Sequence, residues 1–247
     1  MGQAVLHALR EEPTLCLGGA LEAPGQSALG SEVEAGIHIV EDAQAALAGC
    51  AVAIDFTLPA VTVATARAAA ESGVAYVTGT TGLSDTDRAA LAEVAQRVPV
   101  LHAPNFSVAV NVLAWLCREA ARLLGTGFDA EILELHHTAK RDAPSGTALH
   151  LAEAVAEGQG VSLEGRLVLE RAGEIGARPP DAIGVQTLRG GDNPGEHSVY
   201  FVGRGERLEL SHRSFTREHF ARGAVRAAAW LTGREPGLYS LEQALGL

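Results

Sequence analysis

Two adjacent imidazoles, one ammonium group and a helix start share a single short stretch: His136, His137, Lys140 and the run Pro144-Ser145-Gly146-Thr147. Imidazole takes up or releases a proton near neutral pH. An ammonium can be made to give up its proton, whereas guanidinium stays charged at any working pH. Of the 19 Lys and Arg residues, Lys140 is the only lysine. Its place between a His pair and a helix start reads as chemistry rather than as one more solvated charge. Proline ahead of Ser-Gly-Thr signals a helix start, and the backbone N–H groups of such a start attract a carboxylate or phosphate. The combination points to proton transfer onto an anionic substrate. Adjacency does not decide which imidazole does what, because neighbours on a strand face opposite ways.

The elements around this stretch can be read from periodicity. Residues 131–135 alternate as a strand, with Ile132, Leu133 and Leu135 apolar, and a helix is expected over 147–157. Before them come a helix from the first residue, a buried strand over 14–21 ending in Glu22, and short strands or helices at 37–40 and 42–47. A continuous apolar strand over 51–57, of central parallel type, precedes an alanine-rich helix from Pro59. A strand at 75–77 runs into Gly79-Thr80-Thr81-Gly82, a helix covers 84–97, and a strand at 98–102 runs into Ala103-Pro104-Asn105-Phe106-Ser107. A long helix over 108–124 has Trp115 and Cys117 on its core side. From Arg166 onward the period is that of strands, at 167–169, 183–188, 197–202 and 208–211. Glycine-rich turns at 190–195 and 203–205 mark hairpins between them, and a closing helix spans 215–231. His150 reads as a surface or packing residue, His197 and His212 as strand residues without a catalytic role, and Arg217 as a helix-surface charge.

The fold class that follows is α/β: a Rossmann-type parallel-sheet domain, its first strand missing, plus an α+β domain with a mostly antiparallel sheet. The first is expected over 1–107 and 217–247, the second over 108–216. In open parallel sheets ligands bind beyond the carboxyl ends of the strands, which is where the two loops at 79–81 and 103–106 fall. A net charge of −11 argues against nucleic acid, whose affinity rests on Lys and Arg neutralising phosphates. The three cysteines have no metal-type spacing and read as buried thiols in a reducing compartment. No metal site, signal peptide or membrane span is evident, so the cytoplasm is the expected location.

The run Glu134 to Ala148 matches the spaced pattern E-x-H-H-x-x-K-x-D-x-P-S-G-T-A. In this it resembles the signature of the 4-hydroxy-tetrahydrodipicolinate reductases, also called dihydrodipicolinate reductases, and the likeness extends along the chain. The resemblance implies reduction of 4-hydroxy-tetrahydrodipicolinate, a cyclic dicarboxylate of the diaminopimelate route to lysine, by NADH or NADPH in a homotetramer. It makes His136 the proton donor, with Lys140 sharing or stabilising the developing charge. His137 would orient the substrate, and Gly146 and Thr147 would seat one carboxylate. Cofactor contacts fall on Gly79, Thr80, Thr81, Ala103, Pro104, Asn105 and Phe106. Met1-Gly2 resemble the end of the family's G-x-x-G-x-M-G loop, so Gly2 joins them, and the first strand with most of that loop is expected to be absent. Glu22 lies about 20 residues beyond the loop, where an acidic residue holds the adenosine ribose. Ala23-Pro24 then follow with no arginine for a 2′-phosphate, which leans the reading toward NADH. A second reading is a dicarboxylate-binding relic of the family that has lost hydride transfer. A semialdehyde-type dehydrogenase would need a nucleophilic cysteine beside a base, and none of the three has one.

Overall fold

The structure, a computed structural model, describes residues 1–34 and 36–247. The chain divides into two compact units, one formed by Met1–Phe106 with Glu218–Leu247 and the other by Ser107–Arg217. The first unit holds α1 (Gly2–Arg10), β1 (Ala20–Leu21), β2 (Glu32–Glu34), β3 (Ile37–Val40), α2 (Ala43–Leu47), β4 (Val52–Asp55), α3 (Pro59–Glu71), β5 (Ala75–Thr78), α4 (Asp85–Val94) and β6 (Pro99–His102). The second holds α5 (Val108–Leu124), β7 (Asp129–His136), α6 (Gly146–Gly158), β8 (Leu167–Val168), β9 (Ile183–Arg189), β10 (Glu196–Val202) and β11 (Arg207–Arg213). The chain then returns to the first unit with α7 (Glu218–Leu231), β12 (Gly237–Tyr239) and α8 (Leu241–Leu245).

In the first unit β12, β6, β5 and β4 lie side by side, all parallel. Parallel strands need crossovers, and the helices that supply them start as the sequence dictates. Pro59 opens α3, and Ser84 caps α4 in a reciprocal box with Asp87. Strand β5 is buried throughout and with β6 forms the inner pair of this sheet. The run at 51–57, expected to be central, supplies the edge strand β4. Helix α7 packs Ala224, Ala227, Ala228 and Leu231 against Val77 and Leu101 of β5 and β6. Gly223 lets it close on the loop after β6, since a Cβ there would stand 1.8 Å from the Phe106 carbonyl oxygen.

A smaller sheet, ordered β1-β3-β2, completes this unit. Here the expected buried strand over 14–21 is corrected: only Ala20–Leu21 pair, against Ile39 and Val40 of β3. Residues 14–19 meet no ladder partner among the described residues, so their apolar character goes into packing, as with Leu15 beside Ala8 and Ile54.

In the second unit the order is β11-β10-β7-β9-β8. The sheet is mixed rather than mostly antiparallel: β7 pairs antiparallel with β10, and β10 with β11, but β7–β9 and β9–β8 are parallel. The reason is connectivity. The α6 crossover leads from β7 to β8 at the sheet edge, and the chain then returns to enter β9 between them in the same direction, so both pairings are parallel. The residues at 190–195 therefore do not close a hairpin. They carry the chain from β9 past the end of β7 to β10, while Gly203 to Glu206 does form one. Helices α5 and α6 pack on one face over Ile132, Val185, Val199 and Phe201. Cys117 is fully buried there, but Trp115 is only half-buried, Cys50 is partly exposed and Cys16 exposed.

Candidate active site

Strand periodicity places the chemistry. On β7 the residues Ala130, Ile132, Glu134 and His136 are the buried ones, facing α6. The first two join the apolar core. Glu134 and His136 continue the same row into a polar end, flanked across the ladder by Thr187 and Arg189 of β9 and by His197 of β10.

Glu134 has no exposed side-chain surface, which only a full set of partners makes tolerable for a carboxylate. One oxygen accepts a hydrogen bond from the ring Nδ1 of His136. Arg189 donates to both oxygens at 2.9 and 3.0 Å, the Ser145 backbone N–H at 3.0 Å and the Thr187 hydroxyl at 3.1 Å. Burial pushes this carboxyl up, but the hydrogen bonds from His136 and Arg189 outweigh it and hold the group at about 2. An ionised carboxylate can only accept, so His136 carries its proton on Nδ1 and turns Nε2 away. That nitrogen faces Gly195, where an added Cβ would stand only 2.8 Å from it. Gly195 has φ +150°, a conformation that also favours glycine.

The loop at 190–195 clamps the end of β7. The Gly190 N–H reaches the His136 carbonyl at 2.9 Å, and the His137 N–H reaches that of Asn193 at 2.8 Å. His137 is half-buried, with Arg217 Nη2 at 3.4 Å from its Nε2. Arg217 is thus a neighbour of the His pair and not the plain helix-surface charge expected. Lys140 is also half-buried and ion-pairs with Asp142 at 2.9 Å. Arg189 donates to the Asp142 carbonyl at 2.7 Å, so one guanidinium ties the carboxylate behind His136 to the loop that carries Lys140. At the start of α6, Ser145 caps the helix through Oγ, accepting from the Ala148 N–H at 3.1 Å. Gly146 is exposed and Thr147 half-buried in that first turn.

His136, His137, Lys140, Gly146 and Thr147 all belong to the second unit. The sequence reading passed over Glu134, Arg189 and His197 as functional residues. For Glu134 a signal existed, since it stands two residues before His136 and so on the same strand face.

In the first unit Gly79, Thr80 and Thr81 follow β5, and Ala103 to Phe106 follow β6, so both loops leave the same edge of the parallel sheet. The Thr80 side chain faces inward: its hydroxyl joins those of Thr62 and Thr78 around the buried Asp55 carboxylate. Gly79 is half-buried beneath the Phe56 ring, and Ala103 and Phe106 are buried. Thr81 and Pro104 are exposed, and Asn105 is half-buried. Gly2 opens α1 with no side-chain cap and open space about its Cα, as an anion at a helix start requires. Glu22 is exposed just after β1 and accepts from the Ala23 N–H at 2.8 Å. These features fit a nicotinamide dinucleotide at the carboxyl edge of the sheet. Among the described residues no cluster of three or more His, Cys, Asp or Glu could hold a metal ion.

A parallel α/β unit with two loops at its carboxyl edge, and a separate mixed-sheet unit with a buried carboxylate–imidazole pair, define a two-part reductase-type architecture. Residues 1–106 match the family described as "Dihydrodipicolinate reductase, N-terminus" and residues 109–245 the one described as "Dihydrodipicolinate reductase, C-terminus". The 4-hydroxy-tetrahydrodipicolinate reductase of Anaeromyxobacter dehalogenans strain 2CP-1 is 49% identical over 100% of this chain and 94% of its own length. That of Desulfotalea psychrophila is 49% identical over the same shares. A dipicolinate-bound dihydrodipicolinate reductase from Paenisporosarcina sp. TG-14 has the same fold, with a TM-score of 0.75 at 23% identity over 97% of this chain and 92% of that one. The chain belongs to the dihydrodipicolinate reductase family.

Proposed function

We propose that the chain reduces 4-hydroxy-tetrahydrodipicolinate to tetrahydrodipicolinate with NADH or NADPH, in the diaminopimelate route to lysine in the cytoplasm. One observation carries the reading: the buried Glu134–His136 pair lies in the same unit as Lys140 and the start of α6, in a chain of this family. The reaction consumes one hydride and one proton and releases water. Bound NADH or NADPH would supply the hydride.

The chain's own residues handle the rest. Hydride addition to an electron-poor, conjugated ring leaves negative charge that a proton must quench. His136, its Nδ1–H held by Glu134, takes up a second proton from solvent on Nε2 and delivers it to the reduced ring from there. Lys140, released from Asp142, stabilises the developing charge or shares the proton. The first turn of α6 at Gly146 and Thr147 seats one carboxylate, and His137 orients the ring. On a protein of net charge −11 such local positive groups must hold an anionic substrate against the overall field.

On the cofactor side, Gly2 would meet the pyrophosphate and Glu22 the adenosine ribose. Gly79, Thr80, Thr81, Ala103, Pro104, Asn105 and Phe106 would form the wall nearest the nicotinamide. With Ala23 and Pro24 after Glu22, NADH is the favoured nucleotide. The reading as an impaired relic is set aside, because both family matches and the identity to the reductases run through the whole chain.

A homotetramer is proposed through the uncovered face of the second unit's sheet. Residues facing away from α6 there include Leu133, Leu135, Leu188, Tyr200 and Val202, of which Leu188 is 49% and Val202 40% exposed. No described helix is long and apolar enough to cross a bilayer.

The test is substrate-dependent loss of nicotinamide absorbance with each nucleotide, beside Lys140→Ala as control. Turnover with neither nucleotide would overturn the proposal.

A further inference from the structure

We infer that His197 is a positioning residue: through the Ser145 hydroxyl it fixes the start of α6 relative to the Glu134–His136 pair. The inference rests on the reading of that helix start as a carboxylate seat.

His197 lies on β10, is 3% exposed, and sits directly opposite Glu134 in the antiparallel register. Its ring stands edge-on to that of His136 with centroids 5.1 Å apart. Its Nε2 is 3.0 Å from Ser145 Oγ. The same Oγ accepts from the Ala148 N–H, while the Ser145 N–H donates to Glu134 at 3.0 Å. Both polar groups of Ser145 are therefore gripped, one by the carboxylate behind His136 and the other by the ring packed on His136. A small shift of the His136 ring and a small shift of the helix start are thereby coupled, and the two must be in register for one ligand to meet both.

The ring is suited to holding rather than to exchanging protons. Burial, helped by the neighbouring His136, drives its ionisation down to about 3, so it stays neutral in use. Its Nδ1 is buried without a hydrogen-bond partner among the described residues. Unpaired buried acceptors are tolerated better than unpaired donors, which places the ring proton on Nε2, donated to Ser145. Sequence inspection alone shows only a histidine on a strand.

His197→Phe keeps an aromatic ring against His136 and removes both nitrogens, of which only Nε2 bonds to Ser145, while His197→Gln restores a donor at similar reach. With the full chain and saturating NADH, pyridine-2,6-dicarboxylate serves as probe. His197→Phe should raise its Kd about tenfold and leave NADH affinity unchanged. His197→Gln should recover most of the loss. Without ligand, amide exchange in a peptide spanning 145–149 should speed up in His197→Phe and in Ser145→Ala, but not in α5 or β5. Wild-type affinity and exchange in His197→Phe would overturn the inference, as would a His197→Gln variant no better than the Phe variant. So would a loss spread equally over NADH binding and α5. Failure of the wild-type chain to bind the dicarboxylate would sink the function reading, and the exchange data would then decide the role of His197 on their own.

Discussion

Replacing Glu134 by Gln keeps the shape of the side chain and removes the charge on which the site is assembled. The carboxylate is fully buried and bonded to His136, Arg189, Ser145 and Thr187. Breaking a buried ion pair from one side costs about 3–5 kcal/mol. Arg189 is 21% exposed and keeps its bonds to the Leu188 and Asp142 carbonyls, so the low end applies. Linkage gives a similar figure: a group held at about 2 in place of 4.5 contributes about 3 kcal/mol. The folded carboxyl lies below its unfolded value. Its contribution is therefore complete above about pH 4.5 and fades as pH falls toward about 2. Near neutrality the variant should melt about 6–12 °C lower, at about 2–4 °C per kcal/mol for a chain of this size. The gap to wild type should close in acid. Turnover should fall by about 10²-fold, because amide chemistry no longer fixes the proton on His136 Nδ1. Melting curves across pH and steady-state rates check both. A variant within about 1 kcal/mol of wild type at neutral pH, or a gap that does not narrow below about pH 4, would refute the reasoning.

Three other outcomes are expected. Lys140→Ala should collapse turnover with NADH affinity nearly unchanged, because Lys140 belongs to the unit that carries the His pair; isothermal titration beside steady-state kinetics separates the two. Gly195→Ala should lower kcat with a modest loss of stability, since the new Cβ would press on His136 Nε2 from 2.8 Å; a fully active variant would show that this nitrogen does not face the chemistry. Glu22→Ala should raise the Kd for NADH about tenfold without altering dicarboxylate binding to the NADH-saturated enzyme, and fluorescence titration of NADH reads it directly.

Local chemistry made much of this protein legible without coordinates. Helix starts at Ser84 and Ser145 follow from hydroxyls that satisfy free N–H groups of a first turn, and the one at Pro59 from a residue that lacks an N–H and has its φ already fixed. The parallel strands β5 and β6 follow from short apolar runs that end in turn residues. The pattern around His136, Lys140 and the α6 start needed only residue types and spacing. Pairing partners were another matter. Nothing local distinguishes an edge strand from a central one, so β4 was misplaced, and an apolar run at 14–19 that meets no ladder partner among the described residues does not become a strand. Hairpin chemistry at 190–195 looked the same whether β9 and β10 touch or, as here, have β7 between them.

That last difference decides the site. Because β7 is inserted between β9 and β10, Glu134 meets Arg189 on one side and His197 on the other, and the 190–195 loop closes over His136. These contacts join residues 54 to 63 positions apart in sequence, and only the order of strands brings them together. Period and capping act over a few residues and can be read in line. A buried charge is tolerated or not according to partners that the chain delivers from far away, and that is settled only when the sheet is assembled.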